Sequence, residues 1–221
     1  MDLSDCSNVR MCKYTIFSVL LHYSHCFMTA NSIDRNTLLT DALSVLRDGG
    51  TLLYPTDTIW GIGCDACCET AVEKLYRIKQ RDRSKAMLVL ASPAMLSEQL
   101  PPSVRELLLN GERPTTVIMP TTWLAQPVAA NLPADDGTLG VRVPKHDFCQ
   151  QLLSGLGHPI VSTSANLSGH PAPQNEADIE AAIRTAVDYC VAPLPELLSA
   201  ECRGSKIIKV SPQGETFIIR D

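Results

Sequence analysis

The sequence predicts a single α/β domain on an open, twisted, mixed β-sheet with flanking helices. Three observations lead there. Segments with helical spacing of apolar residues alternate with short apolar or β-branched runs, the pattern of helices packed on a sheet. A hairpin-like pair, Ile207 to Val210 and Thr216 to Ile219 around Ser211-Pro-Gln-Gly214, lies at the end of this alternation. The length of 221 residues, with 45% hydrophobic and 5% aromatic content, suits one well-buried domain and not two of ordinary size.

Residues 1–28 differ in character from the rest of the chain and read as an N-terminal extension that adds nothing to function, leaving 29–221 as the domain. Within the extension, Ile16 to Leu21 is apolar after Arg10 and Lys13, but this run is too short to span a bilayer and lacks a small-residue cleavage site. Met28 then opens an ordinary cytosolic start, so the expected location is cytoplasmic, without membrane contact. Leu38, Leu39, Ala42, Leu43 and Leu46 recur at helical spacing, and Gly49-Gly50 supplies the stop. Thr51 to Pro55 reads as a short strand that delivers Thr56, Asp57 and Thr58 into a loop continuing through Trp60-Gly-Ile-Gly63. A helix beginning between Cys68 and Thr70 turns Ala71, Val72, Leu75 and Ile78 inward and Lys74, Arg77 and Arg81 outward.

Ala86 to Ala91 is apolar throughout and reads as a central buried strand. Ser92-Pro93 opens a short helix by the cap-then-proline order, and Ser103 to Asn110 forms another. Thr115 to Pro120 and Thr138 to Pro144 are strands, β-branched and bounded by proline, around a polar loop. Asp147 caps a helix ending near Gly155. His158 to Val161 is a strand feeding the polar loop Ser162 to Gly169. Asn175 to Val187 is a helix, with a strand over Tyr189 to Ala192 after it.

A net charge of −5 argues against a protein that coats nucleic acid, since such binding rests on neutralising many phosphates. A local basic groove is compatible with it. Nine cysteines, odd in number and scattered, read as reduced thiols of a cytosolic protein. Cys64-Asp-Ala-Cys67 has the spacing of a metal or redox pair, but the sequence has neither a matching pair nor a His cluster beyond it, so no metal ligands are assigned.

Four groups carry chemistry. Lys74 to Lys85 holds six cations in twelve residues, Lys74, Arg77, Lys79, Arg81, Arg83 and Lys85. Lys79-Gln-Arg81 suits a polyphosphate, because arginine offers a two-pronged donor and lysine a point charge; compensation of a helix dipole is the alternative. Ser162-Thr-Ser-Ala-Asn-Leu-Ser-Gly169 presents hydroxyls, a carboxamide and backbone N–H groups that can cradle an anion, or forms a capped turn. It is not a glycine-lysine phosphate loop, and His158 lies too near on the same strand to activate a serine. Thr56 and Thr58, with Asp57, suit an amino acid or cap their own turn. Arg142, between Val141 and Val143, faces either solvent or a cavity, where it would hold a carboxylate.

Taken together, Tyr54-Pro-Thr-Asp-Thr with Trp60-Gly-Ile-Gly63, Lys79-Gln-Arg81, Val141-Arg-Val-Pro144 and Ser162-Thr-Ser-Ala-Asn166 with Ser168-Gly169 resemble the YrdC/Sua5 family of L-threonylcarbamoyladenylate synthases. The likeness covers about residues 36–220 and points to the short, single-domain form. It implies an open sheet around a concave basic groove. It implies condensation of L-threonine, bicarbonate and ATP, with Mg2+, into threonylcarbamoyl-AMP and pyrophosphate. The product serves downstream tRNA threonylcarbamoyl-transfer proteins that modify adenosine 37, and a direct tRNA contact is compatible with the groove. By resemblance, Thr56, Thr58, Arg142 and Ser162 contact threonine, while Lys79, Arg81, Lys85, Thr116, Ser164, Asn166 and Ser205 contact the nucleotide. Lys79, Arg81, Ser164 and Asn166 form the catalytic set.

The chain departs from the family pattern in Asn110-Gly-Glu-Arg-Pro-Thr-Thr116, in Leu90 and Ala172, where some members carry histidine and serine, and in Lys206 after Ser205. A non-catalytic RNA-binding or ribosome-maturation factor is the competing reading, opposed by the acidic charge and the shortage of aromatic residues for stacking.

Overall fold

In the computed structural model, residues 34–83, 85, 87–198, 203–211 and 214–221 are described. They fall within one compact unit, Asp34–Asp221. The expectation for residues 1–28 lies outside the described residues.

α1 (Arg35–Arg47) begins where the Asp34 carboxylate accepts the Asn36 N–H at 3.1 Å, and it buries Leu38, Ala42 and Leu46. Gly49 at φ +74° ends it as the glycine pair predicts. β1 (Thr51–Tyr54), β2 (Gly61–Asp65) and α2 (Glu69–Lys79) come next. After them come β3 (Leu88–Leu90), α3 (Pro102–Asn110), β4 (Thr115–Pro120), β5 (Thr138–Arg142), α4 (Asp147–Leu156) and β6 (Ile160–Ser164). The rest is α5 (Ala181–Ala186), β7 (Tyr189–Cys190), β8 (Lys206–Val210) and β9 (Thr216–Arg220). One mixed sheet of nine strands results, in the order β7-β1-β2-β6-β3-β5-β4-β8-β9, open at its β7 and β9 edges.

Several expectations change. Gly61 to Asp65 is a strand rather than loop, antiparallel to both β1 and β6. Its glycines, which normally weaken strands, are required by what lies beside them: a Cβ on Gly63 would stand 2.3 Å from the Val161 carbonyl oxygen and 3.0 Å from the Tyr54 ring. Ser162 to Ser164 belong to β6, so the polar loop begins at Ala165. The span expected as one helix from Asn175 divides into a 3-10 turn, Glu176–Asp178, and α5, because the Asn175 and Asp178 side chains cap each other's backbone and close the first turn. The α4 cap is His146, whose Nδ1 accepts the Cys149 N–H at 3.4 Å.

The turn after α2 sets the site. Gln80 adopts the left-handed conformation at φ 48°, the only positive φ among the described residues other than glycine. Gln80 N bonds Arg77 O at 3.1 Å and Arg81 N bonds Tyr76 O at 3.0 Å, the paired bonds of a Schellman ending. A glycine would adopt this turn without the Cβ clash, a difference of about 1 kcal/mol. The turn sends Lys79 inward and Arg81 outward.

Candidate functional site

A groove of about 590 Å3 opens on the face formed by β2, β6, β5, β4 and β8. Its lining includes Arg81, Arg142, Lys209 and Arg220 against a single carboxylate, Asp136, which makes it electropositive in a chain of net negative charge. A second depression, about 650 Å3 beside α4, is lined by glutamine, serine and small or apolar residues with no charged group, and does not suit an anionic substrate.

At one end of the groove, Thr56, Thr58 and Arg142 are all buried and form a directed chain of hydrogen bonds. Arg142 Nη1 donates to Thr58 Oγ1 at 2.7 Å. Thr56 Oγ1 donates to the Ile59 carbonyl at 2.8 Å, and its single proton is then used. It therefore accepts from the Thr58 hydroxyl at 3.0 Å and from the Thr58 N–H at 3.1 Å. Arg142 Nη2 also lies 3.4 Å from Asp57 Oδ1, while Asp57 Oδ2 accepts the Lys145 N–H. Arg142 Nε, buried, has no hydrogen-bond partner among the described residues. A buried guanidinium N–H without an acceptor is costly, and a shift of this side chain toward a ligand in the groove would satisfy it.

In the middle, Gly61 and Gly63 of β2 pair directly with Ser164 and Ser162 of β6. Both serine residues line the groove with Gly61, Ser162 being buried and Ser164 half-buried, while the space beside Gly63 is taken by the Tyr54 ring. A Cβ on Gly61 would come within 3.2 Å of Ser162 Oγ.

Behind Ser164 stands Lys79, 1% exposed. Its ammonium donates to the carbonyl oxygens of Ser164 and Asn166, each at 2.6 Å, with Asn166 Oδ1 at 3.2 Å and Ser164 Oγ at 3.5 Å. Asn166 Nδ2 in turn donates to the Leu167 and His170 carbonyls. Burial, reinforced by the Arg81 charge and opposed by Glu180, pushes the Lys79 ammonium down to about 8. Lys79 and Asn166 thus build the turn that presents Ser164, and neither lines the groove. Lys85 is exposed and outside it too, although its carbonyl orients Arg81 by accepting from Nε at 2.8 Å.

Beside Arg142, whose cross-strand partner on β4 is Thr116, Thr116 Oγ1 and Ser205 Oγ lie 2.8 Å apart, joining β4 to the segment that leads into β8. Arg220 donates from Nε and Nη2 to the Ser205 carbonyl at 3.1 and 2.7 Å. Of the expected site residues, the groove gathers Thr56, Thr58, Arg81, Thr116, Arg142, Ser162, Ser164 and Ser205. Sequence reasoning missed Arg220, Lys209, Gln174 and Asp136. The hairpin that carries Lys209 and Arg220 reads as plain sheet, and only its parallel pairing with β4 brings those cations inward. Among the departures from the family pattern, Leu90 is fully buried opposite Arg142, while Ala172 lines the groove. The Cys64–Cys67 spacing forms no pair: Cys64 is buried in the sheet and Cys67 stands with Asp65 and His158. No helix among the described residues is long and apolar enough to cross a membrane.

Fold and groove define an α/β protein with a hydroxyl-rich cationic cleft. Residues 44–221 match the Sua5/YciO/YrdC family, described as telomere recombination. The chain is 36% identical over 157 residues to the threonylcarbamoyl-AMP synthase of Chromohalobacter salexigens, covering 67% of this chain and 82% of that protein. It is 34% identical to the synthase of Yersinia pestis, covering 67% and 80%. The chain belongs to the Sua5/YciO/YrdC family.

Solved structures share the fold. Sua5 of P. abyssi complexed with L-threonine superposes with a TM-score of 0.66 at 22% identity, over 80% of this chain and 52% of that one, so the chain spans about half the length of that relative. YciO of E. coli matches at 0.66 and 23% identity, over 85% and 90%.

Proposed function

We propose that this chain is a nucleotidyltransferase that condenses L-threonine, bicarbonate and ATP into threonylcarbamoyl-AMP and pyrophosphate, for transfer to tRNA by downstream cytoplasmic proteins. The observation that carries this reading is the meeting, in one groove, of the Arg142–Thr58–Thr56 chain with Arg81, Ser164 and the Thr116–Ser205 pair. The relatives named threonylcarbamoyl-AMP synthase and the threonine-bound Sua5 support it.

The chemistry requires no protein nucleophile. The threonine amine bonds to the carbon of bicarbonate as a C–O bond breaks and water leaves, carrying off an amine proton, to give a carbamate. A carbamate oxygen then attacks the α-phosphorus of ATP, and the bond to the pyrophosphate leaving group breaks. Arg142 Nε would take the threonine carboxylate as its partner, and Thr58 and Ser162 would orient the amino acid. Arg81, Lys209 and Arg220 would hold the phosphates as charge shifts to the leaving group, and Thr116 and Ser205 would set the nucleotide. Positioning and charge stabilisation supply the rate.

Asp136, the only carboxylate of the described lining, is engaged by Thr138 and by Lys209 at 2.9 Å, which hold it at about 2. The donor set therefore fits Mg2+ carried on the ATP phosphates rather than in a carboxylate cage; bound there, the ion would neutralise phosphate charge.

The test is pyrophosphate release by the purified chain. Release that depends on ATP, threonine and bicarbonate together is expected. Salt-sensitive tRNA binding with no turnover would refute the assignment and favour the RNA-binding reading.

A further inference from the structure

Asp65, Cys67 and His158 stand together at the end of β2 remote from the groove, with their ligand-type atoms all within 4.8 Å of one another. β2 separates them from Gly61 at the groove by about 13 Å, at ~3.3 Å per residue. Backbone bonds fix the cluster. Asp65 pairs with Ile160 of β6, Ala66 N donates to the Pro159 carbonyl at 3.0 Å, and Cys68 N donates to the Asp65 carbonyl at 3.3 Å.

The Asp65 carboxylate is divided between two tasks. Oδ1 accepts the Cys67 N–H at 2.8 Å, which anchors it. Oδ2 lies 3.0 Å from His158 Nδ1, a hydrogen bond that holds oxygen and imidazole nitrogen together and that a shared ion would replace, with the thiol in reach. Ligand atoms around a tetrahedral zinc-class ion sit about 3.3–3.6 Å apart, given bonds of about 2.0–2.3 Å. Side-chain adjustment alone would close the triad to that spacing.

We propose that Asp65 Oδ2, Cys67 Sγ and His158 Nδ1 form a binding site for a thiophilic divalent cation of the zinc class, with water in the fourth position. Thiolate, imidazole and carboxylate together suit such an ion, whereas Mg2+ and Ca2+ require oxygen ligands. The Cys67 thiol, which donates to the Pro127 carbonyl at 3.4 Å, releases its proton to solvent as the metal–sulfur bond forms. With the His158 side chain 44% exposed, the ion enters from solvent. Bound there, it pins the turn into α2 to the start of β6. The opposite ends of those two elements meet where Lys79 bonds Ser164, so the site is structural or regulatory rather than catalytic.

The experiment titrates the reduced, metal-stripped full chain with Co2+ under anaerobic conditions. One equivalent per chain is expected to show a thiolate-to-cobalt charge-transfer band and the visible absorption of a four-coordinate ion, both displaced by Zn2+. Cys67→Ser and His158→Ala should each lose that equivalent, while Cys68→Ser keeps it. Cys67→Asp retains a ligand without sulfur, so it should bind Co2+ without the charge-transfer band, which keeps the proposal testable if Cys67→Ser does not fold. Zn2+ should raise the Tm of the wild type but not of Cys67→Ser. A cobalt spectrum unchanged by both Cys67 substitutions, or no binding at equimolar Co2+, overturns the site.

Discussion

Lys79 Nζ donates to the Ser164 carbonyl at 2.6 Å across a sequence separation of 85 residues. A buried ammonium thereby holds the strand end that faces the groove. Lys79→Met should leave the Asn166 carbonyl without its donor, while the Ser164 carbonyl loses the ammonium but keeps the Asn166 N–H at 2.9 Å; it should destabilise the fold by about 2–3 kcal/mol and abolish pyrophosphate release. Arg81→Ala, at the groove surface, should abolish release with Tm nearly unchanged. Calorimetry and a pyrophosphate assay on both variants separate the two roles, and an unaltered Tm in Lys79→Met would contradict the positioning role.

The same lysine sets a pH dependence with two opposite signs. Its folded value of about 8 lies below the ordinary 10.5, so between these values the unfolded chain binds the proton more tightly and the Lys79 contribution to stability rises with pH. The cation behind Ser164 is meanwhile lost. Pyrophosphate release should fall with an apparent pKa near 8, while the Tm advantage of wild type over Lys79→Met grows. An activity profile that stays flat well above pH 8 would show that the ammonium keeps its proton.

Thr58→Val removes the hydroxyl between Arg142 and Thr56 while keeping its volume. The guanidinium then loses a partner at 2.7 Å, at a cost of about 1–3 kcal/mol. The KM for threonine should rise about tenfold or more, with the KM for ATP unchanged. Equal changes in both would mean that this end of the groove does not hold the amino acid.

Gly63→Ala tests the close approach of β2 to β6 and Tyr54. The added methyl would meet the Val161 carbonyl oxygen at 2.3 Å, and backbone cannot yield as a side chain tip can. A loss of about 1–3 kcal/mol is expected from denaturant unfolding. Little or no loss would mean that β2 and β6 can part locally to admit the methyl.

The helix-strand alternation was legible because apolar spacing and glycine or proline stops are local signals, and α1, α3, β4 and the final hairpin obey them closely. Gly61-Ile-Gly63 was not, since glycine argues against a strand unless one knows that Tyr54 and the Val161 carbonyl lie beside it. Arg142, Ser162 and Thr58 could be nominated from residue type and resemblance. The burial of Lys79 could not, because lysine is almost never buried without partners, and its partners sit in a turn far along the chain. Arg220 was hidden for a related reason: nothing local shows that its strand reaches the groove.

The Thr116–Ser205 hydroxyl pair joins β4 to the approach to β8, and the groove needs that seam closed as well as the seam between β2 and β6. Both are closures between distant parts of the chain, each opposed by loop entropy. A nucleotide touching Ser164 on one side and Ser205 on the other would act as a clasp across them, adding its binding free energy to the work of pulling β8 and β9 from the sheet. The concentration of ATP around the chain would then help to decide how often its last hairpin peels away.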